Sequence, residues 1–95
     1  LPSPGQGPNK EQRQNGFFRL ILLGNTKDNE VLSIQVTGDR DPGYGSTSKI
    51  LSETAICLAC DEIEIKGGIW TPASALGNKL LARLKTNAGM TFKIL

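Results

Sequence analysis

"GDRDPGYGSTSKIL", Gly38 to Leu51, decides how the chain is read. It follows a strand-like run and precedes a helix-like one, and Gly43-x-Gly45 stands where a nucleotide-binding protein keeps its phosphate loop. A dinucleotide fingerprint needs three glycines as G-x-G-x-x-G: for the turn, for close approach of the pyrophosphate, and for helix–strand packing. Here the third position is Ser48. A Walker loop fails as well, because no Gly-Lys-Ser/Thr closes the stretch. The preceding strand belongs to a hairpin and not to a βαβ unit. The stretch therefore reads as a turn, Asp41-Pro42-Gly43-Tyr44, that starts a helix. Pro42 fixes φ, Gly43 permits φ > 0, and Ser46 or Thr47 is expected to cap the free N–H groups. A helix start of this kind is also a good anion cradle, and the Tyr44 hydroxyl beside it suits a ligand carboxylate.

Upstream of the corner lie two strand candidates. Phe17–Gly24, "FFRLILLG", is dense enough in apolar residues to be a strand with both faces covered. Val31–Gly38 alternates strictly, with Leu32, Ile34 and Val36 inward. The turn formers of Asn25–Glu30 join them as an antiparallel hairpin. Downstream, Thr47 to Cys60 predicts a helix whose buried stripe is Thr47, Ile50, Leu51, Thr54, Ala55 and Leu58. After the charged and glycine-rich Asp61–Gly68, Thr71 is the expected N-cap and Pro72 the first residue of a second helix. Its apolar line is Leu76, Leu80 and Leu84, and Gly89 is placed to be the left-handed C′ residue. Met90–Leu95 alternates as a final strand.

The predicted fold is α+β: an antiparallel or mixed sheet of about three strands, in β-β-α-α-β order, with two helices packed on one face. Residues 1–15, rich in Pro and Gly, read as a flexible lead-in or linker, and 16–95 as a single α+β domain. The start at Leu1 suggests a piece of a longer protein.

Composition narrows the function classes. Lys and Arg number 11 against 9 Asp and Glu, a net +2 spread along the chain with no basic cluster. With so few aromatics, a nucleic-acid groove built on charge and stacking is not expected. The apolar run Leu20 to Leu23 is far short of the ~20 residues that span a bilayer. No signal peptide is visible, so a cytoplasmic location is expected. Histidine is absent, which removes the commonest general base at neutral pH. Cys57-Leu58-Ala59-Cys60 is a literal C-x-x-C, but it closes a helix, where the dipole disfavours thiolate. Both are read as core cysteines, and two thiols without histidine do not complete a zinc site. Trp70 is read as packing the start of the second helix on the sheet.

Taken together, "NGFFRLILLG", "VTGDRDPGYGSTSKILSETAICLA" and "GGIWTPASALGNKLLARLKTNAGMTFKIL" resemble the C-terminal end of saccharopine dehydrogenase-like oxidoreductases. This is the broad saccharopine reductase family, among which the trans-acting enoyl reductases are counted. The resemblance covers about Gly16 to Leu95. Its most specific pieces are Asp41-Pro42-Gly43-Tyr44, Gly67-Gly68-Ile69-Trp70-Thr71-Pro72-Ala73 and Gly89-Met90-Thr91-Phe92.

The resemblance implies an NAD(P)-dependent parent whose N-terminal Rossmann domain lies outside this chain. The chain itself would then supply substrate-side and dimer contacts. It would bind no cofactor and no metal, and have no catalytic residue of its own. Its partners would be that Rossmann domain, a small-molecule substrate and a second copy in a homodimer, with neither nucleic acid nor membrane. Asp41, Tyr44, Thr47, Trp70 and Thr71 are the residues expected to face the substrate cleft. The alternative is a non-catalytic protein-interaction module that recruits a partner by strand addition.

Overall fold

The computed structural model describes residues 3–95; residues 1–2 of the expected lead-in lie outside the described residues. The order is α1 (Lys10–Asn15), β1 (Phe18–Asn25), β2 (Val31–Gly38), α2 (Gly45–Cys60), α3 (Pro72–Asn87) and β3 (Met90–Ile94). The three strands form one antiparallel sheet in the order β1-β2-β3. The predicted α+β architecture is the one observed. Residues 10–15, expected within the lead-in, form a one-and-a-half-turn helix. Asn9 and Gln12 close it with a reciprocal capping box, each accepting from the other's backbone N–H at 2.8 and 2.9 Å.

Register fixes which residues share a face. Phe18, Gly38 and Met90 stand side by side, then Leu20, Val36 and Phe92, then Leu22, Ile34 and Ile94. Both long helices lie on this face, α3 directly against β3 and α2 across α3. The core joins Cys57 of α2 to Leu76, Leu80 and Leu84 of α3, Ala88 and Met90, with Phe18, Val36 and Phe92 at its sheet side. On the opposite face the hydroxyls of Thr37 and Thr91 hydrogen-bond between β2 and β3.

The helices reach only the end of the sheet near Phe18 and Met90, and α3 covers only one side of α2; three expectations give way. First, β1 is an edge strand and not a strand covered on both faces; Leu20, Ile21, Leu22 and Leu23 are all exposed, Leu23 at 73%. Second, the buried stripe of α2 runs through Ser46 and Cys57, with Ile50 half-buried beside them, while Leu51 and Leu58 face outward. The apolar residues of α2 form two stripes, and α3 covers only one. Third, Cys60 is exposed, so only Cys57 of the pair belongs to the core.

The termini of α3 follow the sequence. Thr71 and Ser74 form a reciprocal capping box ahead of Pro72, and Gly89 takes φ +64° after the last turn. A side chain on Gly89 would collide with the Asp39 carboxylate as well. What periodicity does not reveal is the break at Gly77, whose φ of 52° and ψ of −132° split α3 into a short first turn and a longer second helix. The line of Leu76, Leu80 and Leu84 stays buried through that break.

Candidate functional site

The corner before α2 is held by Asp41. One carboxylate oxygen accepts the backbone N–H groups of Gly43 (2.9 Å) and Tyr44 (3.1 Å), and the other accepts that of Gly45 (2.6 Å). These bonds, that from Gly45 above all, hold the Asp41 carboxyl below its ordinary range despite its burial; the Arg13 guanidinium adds to the effect. Capping therefore falls to Asp41 and not to Ser46 or Thr47. Those two hydroxyls instead donate to the carbonyls of Arg40 (3.0 Å) and Pro42 (2.6 Å). A Cβ at Gly45 would meet the Asp41 carboxylate at 2.8 Å, so the glycine is there for close approach to this internal anion. The anion position at this helix start is filled by the chain's own carboxylate.

A groove of about 370 Å³ lies between the C-terminal half of α2 and the loop leading into α3. Thr54 and Leu58 of α2, Ile65 and Trp70 of the loop, and Pro72 and Leu76 of α3 line it. Trp70 does not pack on the sheet as expected. Its ring is half exposed along the groove, and its indole N–H donates to the Lys66 carbonyl at 3.0 Å. Gly68 lets the loop fold close to the indole, since a Cβ there would stand 3.3 Å from Nε1. The groove's hydroxyls are engaged within the protein: Thr54 donates to the Ile50 carbonyl at 2.7 Å, and Thr71 belongs to the α3 capping box. Lys66 lines the groove and, among the described residues, forms no ion pair.

Behind the groove, α2 and α3 are tied by a polar cluster. Arg83 grips Asp61 with both forks of its guanidinium (2.7 and 2.8 Å) and reaches Glu53 at 3.3 Å, while the Asn87 amide donates to the same Glu53 oxygen at 3.2 Å. Arg83, and next to it the Cys57 thiol, hold the Asp61 carboxyl down at about 2. Arg83 is correspondingly shifted up by Asp61. Burial pushes the Cys57 thiol up, and the hydrogen bond to Asp61 adds to this, so Cys57 is an inert structural thiol. The sequence signal for this cluster was available: Glu53, Cys57 and Asp61 recur at four-residue steps, as do Arg83 and Asn87.

Of the five cleft candidates, the structure brings Trp70 and Thr71 together in the groove. Asp41, Tyr44 and Thr47 sit at the other end of α2, where Tyr44 is exposed and Asp41 is occupied by its three amides. Thr54, Leu58 and Lys66 complete the groove without having been singled out. Thr54 and Leu58 had been placed in a core stripe, and a lysine in a glycine-flanked loop has no motif to mark it. Among the described residues no group of three or more His, Cys, Asp or Glu side chains is placed to hold a metal ion, and no helix is long and apolar enough to cross a membrane.

The chain is thus an α+β unit with a self-capped helix corner and an apolar groove lined by one charged residue, Lys66. Comparison with known proteins adds what those proteins are called. The chain is 36% identical over 86 residues to a provisionally named trans-acting enoyl reductase of Mycobacterium tuberculosis. It is 34% identical over 85 residues to a trans-acting enoyl reductase of Mycobacterium ulcerans, and 31% identical over 85 residues to one of Mycobacterium bovis. These matches take in 87–88% of this chain but 20% of each relative, so the chain spans about a fifth of the length of the curated relatives it matches. No family model matches the chain, and no solved structure matches it significantly. The relatives are named enoyl reductases and not saccharopine dehydrogenases, which overturns the saccharopine dehydrogenase-like assignment drawn from the motifs.

Proposed function

We propose that this chain is the substrate-side portion of a longer oxidoreductase of the trans-acting enoyl reductase kind, with its nicotinamide-binding domain on residues outside this chain. The supporting observation is the likeness, across 88% of the chain, to a relative of which that stretch is only 20%. A nicotinamide, as NADH or NADPH, would supply the hydride. The corner before α2 does not fit its pyrophosphate, because Asp41 already takes the amides of Gly43, Tyr44 and Gly45.

What the chain contributes on this reading is position. Trp70 and Thr71 line the substrate side of the cleft, while Asp41 and Thr47, at the other end of α2, hold a separate turn whose exposed Tyr44 is a polar contact for the missing part of the enzyme. The outward residues Leu51 and Ala55 of α2 lie open for the remainder of the enzyme. A homodimer and a cytoplasmic setting belong to the same proposal.

The test is a reductase assay on the product of the complete gene. Given an α,β-unsaturated acyl thioester, it should oxidise NADH or NADPH, and Trp70→Ala should raise KM more than it lowers kcat. Oxidation of neither nicotinamide in the presence of such thioesters contradicts the proposal.

A second reading, an interaction module without chemistry, draws on β1. Its outer edge is unpaired in the sheet, and Leu20, Leu22 and Leu23 are exposed along it. That is a surface suited to strand addition. A complete gene product with no nucleotide-binding domain, and a partner strand that protects β1 amides from exchange, would favour it.

A further inference from the structure

The groove between α2 and the loop entering α3 has a composition that restricts what it can hold. Its walls are carbon: Leu58, Ile65, the Trp70 ring, Pro72, Ala75 and Leu76. Its side-chain hydroxyls and the indole N–H are already bonded within the protein. No acidic residue lines it, and its one charged group is Lys66, which has no carboxylate partner among the described residues. A polar ligand such as a sugar would lose its water here without recovering hydrogen bonds, which is costly. A cation would meet Lys66. The complementary ligand is long, apolar and singly anionic at one end. At about 370 Å³ the groove falls within the range of small-molecule sites.

We propose that this groove takes the hydrocarbon chain of an amphiphilic carboxylate, with the Lys66 ammonium holding the head group. The proposal goes beyond the reductase reading, because a free carboxylate carries at its head the charge that an acyl thioester lacks. The chain lies along Leu58, Ile65 and Leu76 with the indole against its flank, and the head remains at the rim beside the glycines. Affinity then comes mainly from buried methylenes, while the exposed ion pair sets the sign of charge that is preferred.

Trp70 is the only tryptophan, so its emission reports on the groove directly. The experiment titrates the 95-residue chain with octanoate, decanoate and dodecanoate below their micellar concentrations, with decylamine as the oppositely charged control. The expected result is a saturable blue shift that tightens about four-fold per added methylene. Decanoate should be favoured over protonated decylamine by about ten-fold, and Lys66→Ala should remove most of that preference, weakening decanoate about two- to five-fold. Leu58→Asp, a change at an exposed position of α2, should abolish the shift while leaving the far-ultraviolet dichroism unaltered.

Absence of a saturable change with any of the carboxylates overturns the proposal. So does a decanoate preference that survives in Lys66→Ala. Thioester-dependent reductase activity in the complete gene product, found together with no carboxylate binding, would overturn the groove assignment alone. Carboxylate binding without such activity would overturn the reductase reading alone.

Discussion

Truncating Leu80 should come close to unfolding the domain, whereas truncating Leu58 should leave it intact. Leu80 is 7% exposed and packs between Cys57, Leu76, Leu84 and Met90; Leu58, one turn beyond Thr54 on α2, is 64% exposed. Leu80→Ala removes three carbon groups at about 0.8 kcal/mol each and leaves a cavity, for a loss of about 2–5 kcal/mol. A chain of 95 residues has a total stability of about 5–14 kcal/mol. The fully buried apolar set here is small, and β1 is uncovered, which places this chain toward the lower bound. A loss of that size should lower Tm by at least about 10 °C. Leu58→Ala, at an exposed position, should change stability by less than about 0.5 kcal/mol. Urea unfolding followed by far-ultraviolet dichroism reads both. The reasoning fails if the two variants lose similar stability, because the face of α2 turned to the core would then be the one that apolar periodicity predicts.

Other consequences are as direct. Gly89→Ala forces a side chain into φ +64° and against Asp39, so it should cost about 1–3 kcal/mol by urea midpoint, while Gly67→Ala, in open space, should cost far less. Thr71→Ala opens the α3 capping box and should cost about 1 kcal/mol, with Thr71→Ser restoring most of it. Asp61 is ordinarily at 3.8 and is held at about 2 in the fold, so its contribution is complete above 3.8 and disappears as pH falls toward 2. Asp61→Asn should flatten the decline in thermal stability across that window, and an unchanged acid profile would refute the Arg83–Asp61 assignment. In the native protein one thiol, Cys60, should alkylate quickly, and Cys57 only in denaturant.

Most of the architecture was readable because the strands and the punctuation of α3 are local. Alternation at Val31–Gly38, Thr71-Pro72 at a helix start and Gly89 at its end each specify their own backbone. The failures share one cause, which is coverage. Apolar content in Phe18–Asn25 and along α2 indicates what could be buried, but only tertiary placement decides that Leu23, Leu51 and Leu58 are not. Gly77 carries no such local mark within a run of helix formers. The groove was half legible: the GGIWTP stretch drew attention to Trp70 and Thr71, while its α2 wall was hidden in a misassigned stripe. At the corner, the motif marks Asp41 as a cleft candidate but does not reveal what its carboxylate holds. It is an anion acceptor for amides, but the amides are its own helix's.

A calorimetric titration of the 95-residue chain with NADPH and NADH asks whether the corner before α2 is open to a phosphate. With Asp41 filling the anion position before α2, neither nucleotide should show saturable binding. Saturable binding that is lost on changing Gly43 or Gly45 would contradict the account. It would make the corner a phosphate site in this chain, and the nicotinamide would no longer need a domain outside it.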